Sequence, residues 1–223
     1  MAHTIAIDGP SGAGKTTTAQ AVARQLGWRY LDTGAMYRAV AVGCMAGGVG
    51  HDDAAAIADY CLGMDLVIST DPDNVSFHLA GRDITADIRQ PAVSAWVSAV
   101  STNPACRTDL VRRQQAILGT GDFVAEGRDI TTVVAPQAEV RVLLTATEAV
   151  RLSRRGAELG DTVDAAALRD QVVRRDRDDS TLVNFTVAAD GVVTIDSTSL
   201  TLAEVVAQIL ELARRAGLTR DAG

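Results

Sequence analysis

The segment at residues 9–16, with the sequence GPSGAGKT, constrains this chain more than any other. It fits the phosphate-binding pattern G-x-x-x-x-G-K-[ST] at every fixed position. A short β-prone run precedes it at residues 3–8, and an amphipathic helical pattern follows at residues 17–26. A strand, a glycine-rich loop and a helix in this order turn backbone N–H groups toward phosphate oxygens at the positive end of the helix. The segment therefore predicts a site for nucleotide phosphates.

Two side chains of this loop have roles that follow from their chemistry. Lys15 can reach the β- and γ-phosphates of ATP, and the Thr16 hydroxyl can ligate Mg²⁺. Lys15 is also the one lysine among the 21 Lys and Arg residues of the chain, and arginine cannot replace a compact ammonium there. The residues predicted to bind ATP are Gly9, Pro10, Ser11, Gly12, Ala13, Gly14, Lys15, Thr16 and Thr17.

Strands and helices alternate along the rest of the chain. After the first strand, β-type runs are predicted at residues 28–31, 122–125, 139–144 and 192–195, with helical patterns between them. This alternation is typical of an α/β fold with a doubly wound parallel sheet, here of five strands. Because 223 residues suit one α/β domain, we expect residues 1–223 to form a single domain.

The pattern changes at residues 63–100. Two short alternating runs, at residues 65–70 and 75–80, flank the turn sequence DPDN, and a third lies near residues 83–84. A β-meander placed between helices predicts an inserted subdomain.

Several helix starts can be predicted from individual residues. Pro91 and Pro104 each stand where the first turn of a helix would begin. Thr33 is predicted to cap the helix that follows it. Thr201 and Glu204 form a capping-box pattern that predicts the start of the last helix.

Composition excludes several classes of protein. The net charge of −7 and a pI near 4.9 argue against a nucleic-acid binder, which needs a basic face. No apolar run is long enough to span a membrane and no signal-peptide pattern is present, so we expect a soluble cytoplasmic protein. We separately expect a monomer. Cys44, Cys61 and Cys106 have no C-x-x-C spacing and are predicted to be reduced core residues. The three histidines are scattered and predict no zinc site.

Several sequence signatures are absent, and their absence narrows the type of phosphate chemistry that the chain can perform. The Rossmann pattern fails at Thr17, and the GTPase and protein-kinase signatures are absent. No residue is an evident general base. An acceptor that is itself a phosphate needs none, because it is mostly dianionic at neutral pH, and it needs arginines to neutralise charge. A kinase for another small acceptor (UMP or a shikimate-like hydroxyl compound) and a non-catalytic ATP-binding module remain alternatives.

Three motifs together resemble the bacterial cytidylate kinase family. They are the phosphate-binding loop, DTGAMYR at residues 32–38 and EGRDITTVV at residues 126–134, and the resemblance extends over nearly the whole chain. It implies transfer of the ATP γ-phosphoryl group to CMP or dCMP with Mg²⁺. It also implies that residues 63–100 are the insertion that binds the nucleoside monophosphate (NMP) and that residues 151–165 form a helical lid.

The resemblance also implies roles for individual residues. The residues implied to bind CMP are Thr33, Arg38, Ser98, Arg107, Arg128, Asp129, Arg175 and Asp179. The residues implied to act on the transferred phosphoryl group are Lys15, Arg128, Arg151, Arg154 and Arg155. Two positions depart from the family's usual pattern: Leu182 stands where an arginine is usual, and Thr131 where a glycine is usual.

Overall fold

The computed structural model of the chain describes residues 2–159 and 186–218. The strands in these ranges are β1 (Thr4–Asp8), β2 (Arg29–Asp32), β3 (Leu66–Ile68), β4 (Phe77–Leu79), β5 (Arg82–Asp83), β6 (Phe123–Gly127), β7 (Val140–Thr145) and β8 (Val193–Asp196). The α-helices are α1 (Lys15–Leu26), α2 (Thr33–Ala46), α3 (Ala54–Gly63), α4 (Pro91–Ser101), α5 (Pro104–Leu118), α6 (Glu148–Leu159) and α7 (Leu202–Arg215). None of these helices is long and apolar enough to span a bilayer.

Five strands form one parallel sheet in the order β2-β6-β1-β7-β8. This confirms the predicted doubly wound α/β sheet. The central strand β1 and its neighbour β6 are buried on both faces, as parallel strands covered by helices on both sides are. Because ligands of such sheets bind outside the carboxyl ends of the strands, the fold places the loop after β1 where a ligand is expected.

Two apolar cores lie on opposite faces of this sheet. Ile5 and Ile7 of β1 pack in the core that also contains side chains of α1 and α7. Ala6, between them, belongs to the core formed with α2, α4 and α5. Successive residues of a strand face opposite sides, so one short strand contributes to both cores and is held from both.

Strands β3, β4 and β5 form a separate antiparallel sheet, at the positions where the meander was predicted. Phe77 and Leu79 of β4 point into the core shared with α2. This contact fixes the small sheet beside the carboxyl end of β2.

The predicted helix starts are largely confirmed. Pro91 and Pro104 are the first residues of α4 and α5. Thr201 and Glu204 form the reciprocal capping box at the start of α7. The structure also contains two short turns that no pattern predicted, a 3₁₀ turn at Asp87–Arg89 and a π-helical turn at Ile130–Val134.

The prediction that Thr33 caps α2 is wrong. Asp32 is the capping residue, and its Oδ1 accepts a hydrogen bond from the Ala35 backbone N–H at 2.9 Å. Thr33 is the first helical residue, and its hydroxyl donates to the Glu126 carbonyl oxygen at 2.8 Å. The extended backbone at Asp32 places its carboxylate over the open end of the helix, one residue earlier than predicted.

Candidate active site

The phosphate-binding loop follows β1 and packs against two other elements so closely that side chains are excluded. A Cβ atom on Gly9 would lie 2.1 Å from the Leu144 carbonyl oxygen at the end of β7. A Cβ on Gly12 would lie 2.5 Å from the Arg151 carbonyl oxygen of α6, and Gly12 has a positive φ of 76°. The loop is therefore held in one shape by β7 and α6, and glycine is required at both positions.

Lys15 and Thr16 begin the helix that follows the loop. The Lys15 Nζ donates a hydrogen bond to the Pro10 carbonyl oxygen at 2.9 Å, so the ammonium lies across the loop. The Thr16 side chain lies close to the Glu126 carboxylate on the neighbouring strand β6 and lowers the pKa of that group. The two residues predicted to contact phosphate and metal thus lie side by side at the open end of the sheet.

One cavity of about 420 Å³ opens at this end of the sheet, within the size range of small-molecule sites. The predicted site residues that line it are Ser11, Gly12, Gly14, Lys15, Thr16, Thr17, Thr33, Arg38, Arg107, Arg128, Asp129 and Arg155. The structure thus brings the phosphate-binding loop and the residues implied to bind an acceptor into a single cavity.

Arg38 of α2 is buried beneath this cavity. Its guanidinium Nη1 donates to the Ile88 carbonyl oxygen and to Ser94 Oγ, each at 3.2 Å. Burial lowers the pKa of Arg38 to about 10, and the charge of Asp32 opposes that shift. Three further arginines lie close enough to repel it: Arg155, Arg89 and Arg128. Four guanidinium groups converging in one cavity form a site for an anion.

Arg107 and Asp129 form an ion pair that also faces the cavity. The Arg107 Nη2 donates to Asp129 Oδ2 at 2.7 Å, and both side chains are mostly buried. This pair presents a guanidinium and a carboxylate next to the arginine cluster, groups that can recognise the polar edge of a ligand.

Glu126 lines the same cavity, although no pattern singled it out. The Tyr30 hydroxyl donates a short hydrogen bond to its carboxylate. Burial and the charge of Asp32 raise the pKa of Glu126 to about 7, and the charge of Lys15 opposes the shift. One signal was available in the sequence: Glu126 is the single charged residue of the otherwise apolar strand β6.

We expect the difference in the free energy of unfolding between Glu126→Gln and wild type to shift in favour of the variant from pH 5 to pH 8. The folded state keeps a proton on Glu126 up to about pH 7, whereas the unfolded chain releases it near 4.5, so this carboxyl contributes most stability below 4.5 and loses it as the pH rises through 7. Gln carries no ionisable proton, so its advantage in the free energy of unfolding should grow by roughly 2–3 kcal/mol over this interval.

Urea denaturation of both proteins at pH 5 and pH 8, without nucleotide or metal, measures this difference. Glu204→Gln is the matched control, because hydrogen bonds from Thr201 lower the pKa of Glu204, and its effect should be flat over the same range. Parallel stability curves for Glu126→Gln and wild type would contradict the assignment.

Two of the three arginines of α6 contact the phosphate-binding loop from behind. Arg151 Nη1 donates to the Ser11 carbonyl oxygen at 2.9 Å. Arg154 donates to the Ala13 carbonyl oxygen at 3.3 Å, to Ser197 Oγ at 2.9 Å and to the Ser197 carbonyl oxygen at 2.8 Å. Of the three, Arg155 is the one that lines the cavity. Arg151 and Arg154 thus hold the loop in this structure instead of facing the cavity.

Other predicted residues lie away from the cavity. Ser98 of α4 lines a second, shallower depression with His51 and Asn103, whereas Ser101, one turn later, lines the main cavity. Gly9, Pro10 and Ala13 are not among the cavity-lining residues and belong to the far side of the loop. Arg175, Asp179 and Leu182, and the end of the proposed lid, lie outside the described residues.

Arg89 was missed by the sequence analysis. It ends the 3₁₀ turn after the small sheet, lines the cavity, and places its Nη2 at 3.6 Å from Asp32 Oδ2. The sequence offered no motif for it, because an arginine just before a helix is most often solvent-exposed.

The comparisons of sequence with known proteins agree on one family. The family model for cytidylate kinase matches residues 5–215. A cytidylate kinase of Cutibacterium acnes is 48% identical over 215 residues, which cover 93% of this chain and 94% of that protein. A cytidylate kinase of Symbiobacterium thermophilum is 42% identical, with 95% and 96% covered. The crystal structure of a gluconokinase from Sinorhizobium meliloti is 16% identical with a TM-score of 0.51, covers 96% and 94% of the two chains, and shares the fold.

Proposed function

Because the chain belongs to the cytidylate kinase family, we infer that it is an ATP-dependent phosphotransferase that converts CMP or dCMP to CDP or dCDP. The observation that best supports this function in the structure is the cavity shared by the phosphate-binding loop and five arginines. A transferred phosphoryl group must meet an anionic acceptor there, and converging positive charge brings two anions together.

We propose that residues 9–17 hold the ATP phosphates. Lys15 would exchange its hydrogen bond with the Pro10 carbonyl oxygen for phosphate oxygens, since an ammonium interacts more strongly with a charged acceptor. Arg151 and Arg154 would support this loop through its carbonyl oxygens, and Arg155 and Arg128 would stabilise the charge spread over the group in transfer.

The residues present fit a Mg²⁺ ion. Mg²⁺ prefers hard oxygen ligands, and the Thr16 hydroxyl and the buried Glu126 carboxylate lie together beside Lys15. Within residues 2–159 and 186–218, no group of three His, Cys, Asp or Glu could hold a metal, which suits an ion ligated largely by ATP phosphates. When bound, it would neutralise charge on the β- and γ-phosphates, with Thr16 as its protein ligand.

We propose that CMP binds at the arginine cluster. Arg38 and Arg128 would bind its phosphate, and Arg107 and Asp129 would recognise the cytosine. The remaining proposed contacts to CMP are Thr33, Ser98, Arg175 and Asp179. Ser98 lines the second depression and not the main cavity. We further propose that residues 63–100 are the NMP-binding insertion and residues 151–165 the lid.

No general base is needed in this mechanism. The acceptor is a phosphate monoester with a second pKa near 6, so its nucleophilic oxygen is already deprotonated at neutral pH. The protein's part is therefore alignment of donor and acceptor, neutralisation of their charge and exclusion of water. We also propose that the enzyme acts as a cytoplasmic monomer on dissolved nucleotides, without a nucleic-acid or membrane partner.

Measuring ADP release with a panel of acceptors tests the proposed function. CMP and dCMP should each support ADP formation with ATP and Mg²⁺, well above UMP, AMP, GMP and shikimate. ADP release without any acceptor should be negligible, because water is excluded before transfer. No CMP-dependent ADP above the blank would contradict the function and favour a non-catalytic ATP-binding role.

A further inference from the structure

Asp8 is a buried carboxylate at the end of β1 that the phosphate-binding pattern does not require. The pattern begins at Gly9, and Asp8 is 3% exposed. Its Oδ1 accepts a hydrogen bond from the Ile130 backbone N–H at 2.8 Å. Its Oδ2 accepts from the Thr131 backbone N–H at 2.8 Å and from the Thr131 hydroxyl at 2.6 Å. Burial raises the pKa of Asp8 and the three hydrogen bonds oppose that rise.

These bonds join the phosphate-binding strand to the segment that carries Arg128 and Asp129. In the sheet, Asp8 pairs with Gly127, the last residue of β6. Its side chain reaches beyond that pairing to Ile130 and Thr131. Arg128 and Asp129 are therefore the only two residues between points that Asp8 fixes, one through the ladder and the other through the carboxylate.

We propose that Asp8 is a positioning residue, which holds Arg128 and Asp129 in the geometry that binds the acceptor nucleotide, and that the Thr131 hydroxyl completes this anchor. The proposal rests on the proposed function, because it concerns the CMP side of the same cavity. Asp8 is not among the residues that line the cavity. It acts by holding the backbone on both sides of Arg128 and Asp129, whose side chains do line the cavity.

Thr131 gives the anchor a side-chain donor. A residue without a hydroxyl at this position would offer the backbone N–H alone. Here the threonine hydroxyl supplies a third donor to a buried carboxylate, and a buried charge is stabilised by each donor that it gains. Thr132, the next residue on the same turn, is exposed and provides a matched control.

Steady-state kinetics with CMP and ATP varied separately test the proposal. Asp8→Asn keeps the shape but turns an amide group toward backbone donors, so we expect the KM for CMP to rise at least tenfold and the KM for ATP to change less than threefold. Thr131→Val removes only the hydroxyl and should raise the KM for CMP three- to tenfold. Thr131→Ser should restore it to within twofold of wild type, and Thr132→Val should leave both KM values unchanged.

The outcomes separate this proposal from the function on which it rests. A wild-type protein without CMP-dependent ADP release would remove both. With an active wild type, equal changes in the two KM values, or no recovery in Thr131→Ser, would overturn the positioning role alone and leave a purely structural one. The Thr131→Val and Thr131→Ser pair decides the question even where Asp8→Asn protein is insoluble, because these two variants leave the carboxylate in place.

Discussion

Replacing Lys15 with arginine is expected to lower kcat by at least a hundredfold, roughly 3 kcal/mol of transition-state stabilisation. The substitution keeps the charge, so the loss tests geometry alone. Lys15 crosses a loop in which a Cβ on Gly9 or Gly12 would already lie within 2.5 Å of a carbonyl oxygen. A planar guanidinium cannot present the compact point charge of an ammonium to the same phosphate oxygens.

Single-turnover and steady-state rates at saturating ATP and CMP measure this effect. Arg24→Lys is the matched control on the same helix, since Arg24 is half-exposed and pairs with Asp73 at the surface. It should retain wild-type activity, because exposed ion pairs contribute little. A Lys15→Arg enzyme with near-normal turnover would show that this loop is not the donor site.

Replacing Arg38 with methionine should raise the KM for CMP about a hundredfold and leave the KM for ATP nearly unchanged. Methionine keeps the aliphatic stem but removes the charge that we propose binds the acceptor phosphate. The same change should not lower the free energy of unfolding. The pKa of Arg38 falls to about 10 in the folded state, so its charged form is less stable there than in the unfolded chain, on the order of 3 kcal/mol at pH 7.

Two measurements therefore separate binding from stability for Arg38. Thermal unfolding of Arg38→Met without ligand should give a Tm equal to or higher than that of wild type. The affinity for CMP should fall strongly in the same variant. Arg112→Met, at an exposed position on α5, should alter neither KM.

Arg155→Ala should lower kcat more than it raises either KM. Identical kinetic patterns for Arg38→Met and Arg155→Ala would refute the division between binding the acceptor and stabilising the transferred group.

Features that depend on neighbouring residues could be predicted from the sequence. The phosphate-binding loop and the five strands each produce a local pattern, because backbone geometry repeats every two or 3.6 residues. Arg38, Arg128 and Asp129 were named from two short motifs that resemble the family, and Arg107 from the resemblance along the rest of the chain. Their meeting in one cavity follows from the parallel sheet, in which all strands end at the same edge.

Features that depend on strand order or side-chain direction could not be predicted. Glu126 meets Thr16 because β6 lies beside β1, and no local pattern specifies which strands are neighbours. Arg151, Arg154 and Arg155 share one face of a helix by spacing, yet two of them contact the loop and one faces the cavity. A rotation of the helix about its axis by a few tens of degrees decides which arginines contact the loop and which faces the cavity. The spacing of the residues does not specify that rotation.

The position of β6 between β1 and β2 has a consequence for how the protein is made. A ribosome delivers residues 4–8 and 29–32 long before residues 123–127, which pair with both. Until that later segment emerges, the two early strands have no partner on their facing edges, and a nascent chain exposes them to aggregation and to chaperones. The nucleotide-binding loop, at residues 9–16, must therefore wait for the segment at residues 123–127 before the sheet can hold it.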